Sequence, residues 1–518
     1  MNNPIIWSDF PDPDVIRVED TYYMISTTMH YMPGGIILRS YDLLHWEILT
    51  YVFDAIDNTP GQCLEGDRSI YGKGMWAASL RYHKGTFYVC FVAFDTGKTY
   101  LYRSDNIMGP WSKQYIEGLF HDSSLLFDDD GRVYIVSGNT DIFLTELKSD
   151  LSGPKPGGIS RIIIKDKENV VLGYEGAHMH KYNGKYYVFL IHWLKDGSRR
   201  RTEACFVSDS LEGEFTGKDV LDDDMGYHNA GVAQGGIIDT PEGDWYAMLF
   251  QDHGAIGRIP VLVPVHWEND FPVFGVDNKV PRQIEVKSTR PDYAYAPLYD
   301  SDDFNYKADK DGRLKMKKVW QWNHTPSDKL WSVTEKPGAL RIRSGKLSPN
   351  VSLAVNTLTQ RLTGPATEVT VTVDGALLNN GDYAGICALQ GCYGFIALTK
   401  EAERYYLVMV GRALDEQESI WGKEGGDRCP GMEYARIPVQ GNKVVLKMRA
   451  DFFDNIDEAE FYYQEGECWN KLGITQKLYF RLDHFAGCRV GLFMYSTKIT
   501  GGAADFEQFM YEVTKQKA

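Results

Sequence analysis

A chain of 518 residues is longer than one hydrophobic core usually organises, so two domains are the starting expectation. Its formal charge of −16 argues against nucleic acid or an anionic membrane surface as partner, because either favours a basic face. No apolar run approaches the roughly 20 residues of a membrane helix, and 13% aromatic content with 50 glycines points to an all-β protein.

The N-terminus, Met1-Asn2-Asn3-Pro4, has neither a basic n-region nor an apolar h-region. That leaves a cytoplasmic protein or an exported one whose signal has been removed. The eight cysteines are scattered without zinc-ligand spacing, so buried free thiols are expected, or a disulfide in the C-terminal half of an exported chain. The basic run Arg199-Arg200-Arg201 follows Asp196-Gly197-Ser198 and reads as a solvated hairpin tip.

From residue 1 to about 295, one pattern recurs five times. A turn signal precedes an aromatic strand whose second aromatic falls at Tyr23, Tyr88, Tyr134, Tyr187 and Tyr246. In four of them the turn carries Gly, at Lys84-Gly85, Asp130-Gly131, Asn183-Gly184 and Glu242-Gly243, as a tight hairpin requires. A second marker keeps the same phase: Ser40-Tyr41-Asp42, Ser104-Asp105, Ser149-Asp150 and Ser208-Asp209. A period of roughly 45–65 residues is the scale of a four-stranded propeller blade. Five blades closing on the apolar strand at 259–263 is the expectation for residues 1–295. Beyond a Pro-rich crossing from Pro281 to Pro297 the marker stops, and residues 296–518 read as a β-sandwich of the jelly-roll, concanavalin-like kind.

Stepping back 12 residues from each Tyr (11 in the first blade) reaches Asp12, Trp76, Asp122, Glu175 and Gln234. Equivalent positions in equivalent hairpins sit at equivalent places around a ring, so three carboxylates converge on one axis. Crowded carboxylates cannot all ionise cheaply. A proton-holding carboxyl facing an ionised one is the equipment of glycoside hydrolysis.

The segments Phe10-Pro11-Asp12-Pro13-Asp14, Met75-Trp76-Ala77-Ala78, Asp122-Ser123-Ser124-Leu125, Glu175-Gly176-Ala177-His178 and Gly257-Arg258 resemble glycoside hydrolase family 43. Members are five-bladed propellers that cut arabinose and xylose linkages in plant cell-wall polysaccharides. Trp320-Gln321-Trp322-Asn323-His324 extends the resemblance into the C-terminal sandwich that many members carry. The resemblance implies that Asp12 is the general base and Glu175 the general acid, that Asp122 orients Glu175 and helps it keep its proton, and that the reaction inverts configuration. It further implies that Trp76 stacks on the sugar, that Arg258 lies near the acid and the sugar hydroxyls, and that His30 lines the pocket.

Where some members hold a central water or calcium ion with His, this chain has Gln234, whose carbonyl could serve a hard cation. Asp303 and Asp505 are the candidates for a structural Ca²⁺ in the sandwich; catalysis itself needs no cofactor. The expected substrate is a side chain of arabinoxylan, xyloglucan or arabinan, with release of terminal α-L-arabinofuranosyl residues ahead of β-D-xylosidase action. A β-fructosidase is disfavoured because its Arg-Asp-Pro signature is absent, and its Glu-Cys pair occurs only at Glu467-Cys468. A carbohydrate-binding propeller with vestigial acids is disfavoured by the presence of all three carboxylates.

Overall fold

The computed structural model describes residues 2–166, 172–310, 314–414, 417–421 and 428–514. Five sheets of four antiparallel strands form the propeller, and in each the strands follow one another from the axis outward. The innermost strands are Asp14–Val18, Ser79–His83, Ser124–Phe127, Glu175–Tyr182 and Ala233–Asp239. The marker tyrosines lie on the second strands, where Tyr134 and Tyr187 have no exposed surface. The serines of the second marker close the turn after the third strand; Ser104 and Ser208 each donate their hydroxyl to a backbone carbonyl two residues on.

Residues 2–10 close the ring by running along the third strand of blade 5, Arg258–Glu268. Asn3 exchanges side-chain hydrogen bonds with the Leu262 backbone, and Ile5 and Phe10 donate to the carbonyls of Pro260 and Arg258. The expected closure on the apolar strand at 259–263 is thus made by the N-terminal segment. At the same closure, Arg17 of blade 1 pairs with Asp239 of blade 5.

The C-terminal part is a sandwich of two eight-stranded antiparallel sheets. One edge strand of the first sheet comes from the propeller: Tyr31–Met32, in the loop after blade 1's second strand, pairs with Gln321–Asn323. One continuous apolar core therefore runs from blade 1, through Phe10 and Trp46, to sandwich residues such as Leu358 and Phe506.

None of the eight cysteines is in a disulfide, and five are buried. The basic run is not a solvated tip throughout. Arg200 pairs with Asp222, and Arg201 begins a blade-4 strand with its side chain only 20% exposed and paired to Asp252. No helix among the described residues is long and apolar enough to cross a membrane.

Candidate active site

Strand register explains why a fixed step from each Tyr finds the ring. In blade 4, Glu175 stands opposite Ile191, four residues beyond Tyr187. Extending the ladders of blades 1 and 3 puts Asp12 opposite Thr27 and Asp122 opposite Gly138, the same distance beyond Tyr23 and Tyr134. In blade 2, Trp76 donates its backbone N–H to the carbonyl of Val92, four beyond Tyr88.

Two irregularities set the step. A longer first turn adds one residue in blade 3, and a bulge adds one in blades 2 and 4. Blade 5 has both, so its ring position is Ala233, opposite Phe250, and not the expected Gln234. Gln234 is displaced by one: its backbone N–H donates to the buried Glu203, and its side chain packs where a Cβ on Gly176 would collide. Gly176, at φ +65°, leaves room for that approach.

At the axis the side chains meet. Arg258 is 2% exposed and donates from Nη1 to Asp12 at 2.7 Å. His121 lies between the other two carboxylates, with Nδ1 3.6 Å from Asp122 Oδ1 and Nε2 3.5 Å from Glu175 Oε2. Asn139, at the end of blade 3's second strand, donates to the same Glu175 oxygen. Asp12 and Asp122 hold positive φ (52° and 45°), a strained setting that Asp tolerates better than most residues.

Burial pushes the Asp122 carboxyl well above the usual range; His121 and Arg258 pull it down, while Glu175 and Asp12 add to the rise. Burial disfavours the charged form of His121, yet Asp122, Glu175 and Asp12 together raise it to about 9. The imidazolium and Asp122 therefore share the proton balance beside Glu175. The ligating atoms of His121, Asp122 and Glu175 lie within 4.8 Å of one another, so these three could also hold a cation.

The walls are aromatic. Trp76 packs against Phe94 (4.5 Å between centroids) and His121 (6.0 Å), and against Phe485, which the sandwich contributes, at 5.2 Å. The Arg258 guanidinium sits 4.4 Å from the centroid of Phe485 and donates to that residue's carbonyl. Asp9 clamps the two domains here, accepting from the backbone N–H groups of Arg258 and Gly487.

The structure thus brings together Asp12, Asp122, Glu175, Trp76 and Arg258. His30 does not line the pocket: it has no exposed surface and is packed in the domain interface against Tyr71, His324 and His484. The loop's capture as a sandwich edge strand pulls it there. In the sandwich, Asp505 is already held by Arg341 and Lys336, and Asp303 caps Asn305. Two cations on Asp505 balance its charge, so the expected Asp303–Asp505 calcium site has a poor donor set.

Sequence reasoning missed His121, Asn139, Phe94 and Phe485. His121 was open to it, since it precedes a ring carboxylate directly. Phe485 was not, because nothing in the sequence ties it to the axis.

Residues 1–272 match the family model described as glycosyl hydrolases family 43, and residues 309–512 match the beta xylosidase C-terminal concanavalin A-like domain. A protein of Formosa agariphila named beta-xylosidase is 27% identical, covering 100% of this chain and 91% of its own. The non-reducing end alpha-L-arabinofuranosidase of Bacteroides ovatus is 27% identical over 66% of this chain and 65% of its own. Among solved structures, a bifunctional GH43-CE protein of Bacteroides eggerthii superposes with a TM-score of 0.88 at 38% identity, covering 99% of this chain and 64% of that longer one. With a propeller, a sandwich and a carboxylate cluster in this arrangement, the chain is a glycoside hydrolase and belongs to glycosyl hydrolases family 43.

Proposed function

We propose that this enzyme is an exo-acting hydrolase that removes a terminal pentose from hemicellulose chains or oligosaccharides with inversion of configuration. The observation that carries the reading is the convergence of Asp12, Asp122 and Glu175 on one axis beside an aromatic wall. Asp12, oriented by Arg258, deprotonates a water; Glu175 protonates the leaving oxygen. His121 and Asn139 hold the Glu175 carboxyl in place, and Asp122 acts through its charge without touching the scissile bond. Trp76 offers a flat apolar face to the sugar ring. Exo cleavage is favoured by the sandwich segment around Phe485, which crowds one side of the axis as an open polymer groove would not.

Within this reading β-D-xylosides come ahead of α-L-arabinofuranosides, the reverse of the order expected from the sequence. The relative named beta-xylosidase aligns with the whole chain, whereas the one named arabinofuranosidase aligns with about two thirds of it. Side-by-side hydrolysis of p-nitrophenyl β-D-xylopyranoside and α-L-arabinofuranoside tests the order. NMR of the first-formed anomer tests the stereochemistry, and a retained anomer would overturn the assignment of Asp12 as base. Release of long oligomers from xylan, in place of single sugars, would overturn exo action.

A further inference from the structure

One ion pair beside the carboxylates has no part in the chemistry above. Arg201 begins the third strand of blade 4, two residues before Glu203; Glu203 lies in a cross-strand row with Ile191 and Glu175. Its guanidinium reaches across to blade 5 and donates from Nη1 to Asp252. Asp252 is the ladder partner of Arg258, the arginine that grips Asp12. Both guanidinium carbons lie near one aromatic ring, Arg201 at 5.2 Å and Arg258 at 5.5 Å from the Phe250 centroid. After burial and the pairing with Asp252, the charges of Glu175 and Asp12 also act on the Arg201 guanidinium, so it lies within electrostatic reach of both.

The pair is unsaturated in a particular way. Asp252 Oδ1 is buried with no hydrogen-bond partner, a state that costs stability unless something fills it. Nε and Nη2 of Arg201 make no hydrogen bond among the described residues, while the side chain keeps 20% of its surface open. Free donors and a bare acceptor, presented side by side on two strands, are the chemical complement of a sugar's hydroxyls, which both donate and accept.

We propose that Arg201 and Asp252 form a hydroxyl clamp on the terminal sugar and set the choice between a pyranoside and a furanoside, a role that rests on the pentosidase reading above. A xylopyranose presents its ring hydroxyls at different places from an arabinofuranose, whose primary hydroxyl stands outside the ring. A site that hydrogen-bonds one arrangement leaves buried groups unpaired with the other, and that asymmetry is where discrimination comes from.

The test compares wild type, Arg201→Gln, Asp252→Asn and the double variant on the aryl xyloside and the aryl arabinofuranoside, with thermal unfolding as the check on folding. The double variant removes both charges together and so avoids stranding one of them. Expected is a loss in kcat/KM of about 10- to 100-fold on the preferred sugar, carried mainly by KM. The ratio of the two sugars should change at least about tenfold. Equal losses on both sugars in the folded double variant would overturn the clamp and leave the pair a structural one. Ligand-observed NMR with methyl β-D-xylopyranoside and methyl α-L-arabinofuranoside, whose ring sizes are locked, reads the clamp without turnover in a Glu175→Gln background: with the clamp intact one glycoside should be preferred and with the double substitution neither, and an unchanged preference overturns it. A wild type that binds one sugar selectively but hydrolyses neither glycoside would overturn the pentosidase reading alone.

Discussion

The histidines at the propeller axis and in the domain interface are buried alike, yet they end on opposite sides of neutrality. At the propeller axis, burial alone would keep His121 neutral, but three carboxylates around it raise it to about 9. In the domain interface, His30, His324 and His484 pack with Tyr71, whose ring stacks on His484 at 3.8 Å. Burial depresses all three; the neighbouring Asp483 offsets little of it at His484, which falls to about 4. His324 Nε2 accepts from the backbone N–H of Ile70, a bond that only the unprotonated nitrogen can make. The difference lies in the neighbours: carboxylates surround His121, whereas His30 faces two other histidines and the buried Arg489 guanidinium.

The largest effects should come from the axis. Asp12→Asn and Glu175→Gln should each lower kcat on a natural disaccharide by about 10²–10⁴-fold with the fold intact. For Glu175→Gln the loss should shrink on a dinitrophenyl glycoside, whose leaving group needs little protonation. Equal losses on both substrates would remove Glu175 from the acid's role.

Next in size is a pair of opposite pH shifts. Asp122→Asn removes a negative charge next to Glu175, so the basic limb of the kcat/KM profile should move to lower pH. His121→Asn removes a positive charge from the same place, so that limb should move to higher pH. Shifts of the same sign in both variants would break the electrostatic account of this cluster.

Stability should separate the two clusters by pH. A histidine depressed in the folded state contributes stability that is intact above the unfolded value near 6.5 and is lost as pH falls toward the folded value. For His484 that window runs from about 6.5 down to about 4, with a loss on the order of 3 kcal/mol. His121 works in the other direction: its contribution is present below about 6.5 and is lost as pH rises through about 9. Denaturant unfolding across pH should therefore show an acid slope that His484→Gln flattens and an alkaline slope that His121→Asn flattens. An acid slope unchanged in His484→Gln would mean that the interface histidines are already protonated in the fold.

The smallest effect is expected in the sandwich. Asp303→Ala should change stability by no more than about 0.5 kcal/mol, and it should leave any response of the unfolding temperature to added Ca²⁺ as it is in the wild type. A calcium-dependent rise that Asp303→Ala abolishes would restore the metal reading.

Much of the axial ring was legible because a propeller repeats its geometry: one turn, one aromatic strand and one step inward place a residue at the axis in each blade. Phase alone therefore reached Asp12, Trp76, Asp122 and Glu175, and the two-domain all-β organisation followed from where the marker stops. It failed at Gln234, because a longer turn and a bulge coincide in blade 5 and composition does not announce a bulge. His30 was misplaced for a different reason: its loop pairs with Gln321–Asn323, nearly three hundred residues away, and such pairing is set by packing between domains. Phe485 against Trp76, and Arg201 reaching Asp252, are likewise contacts between distant segments. Local sequence determined which residues begin each inner strand, since turns and strands are short-range choices of the backbone. Only the tertiary structure decided which side chains close the pocket over them, because that depends on how two separately patterned β-structures share one buried surface.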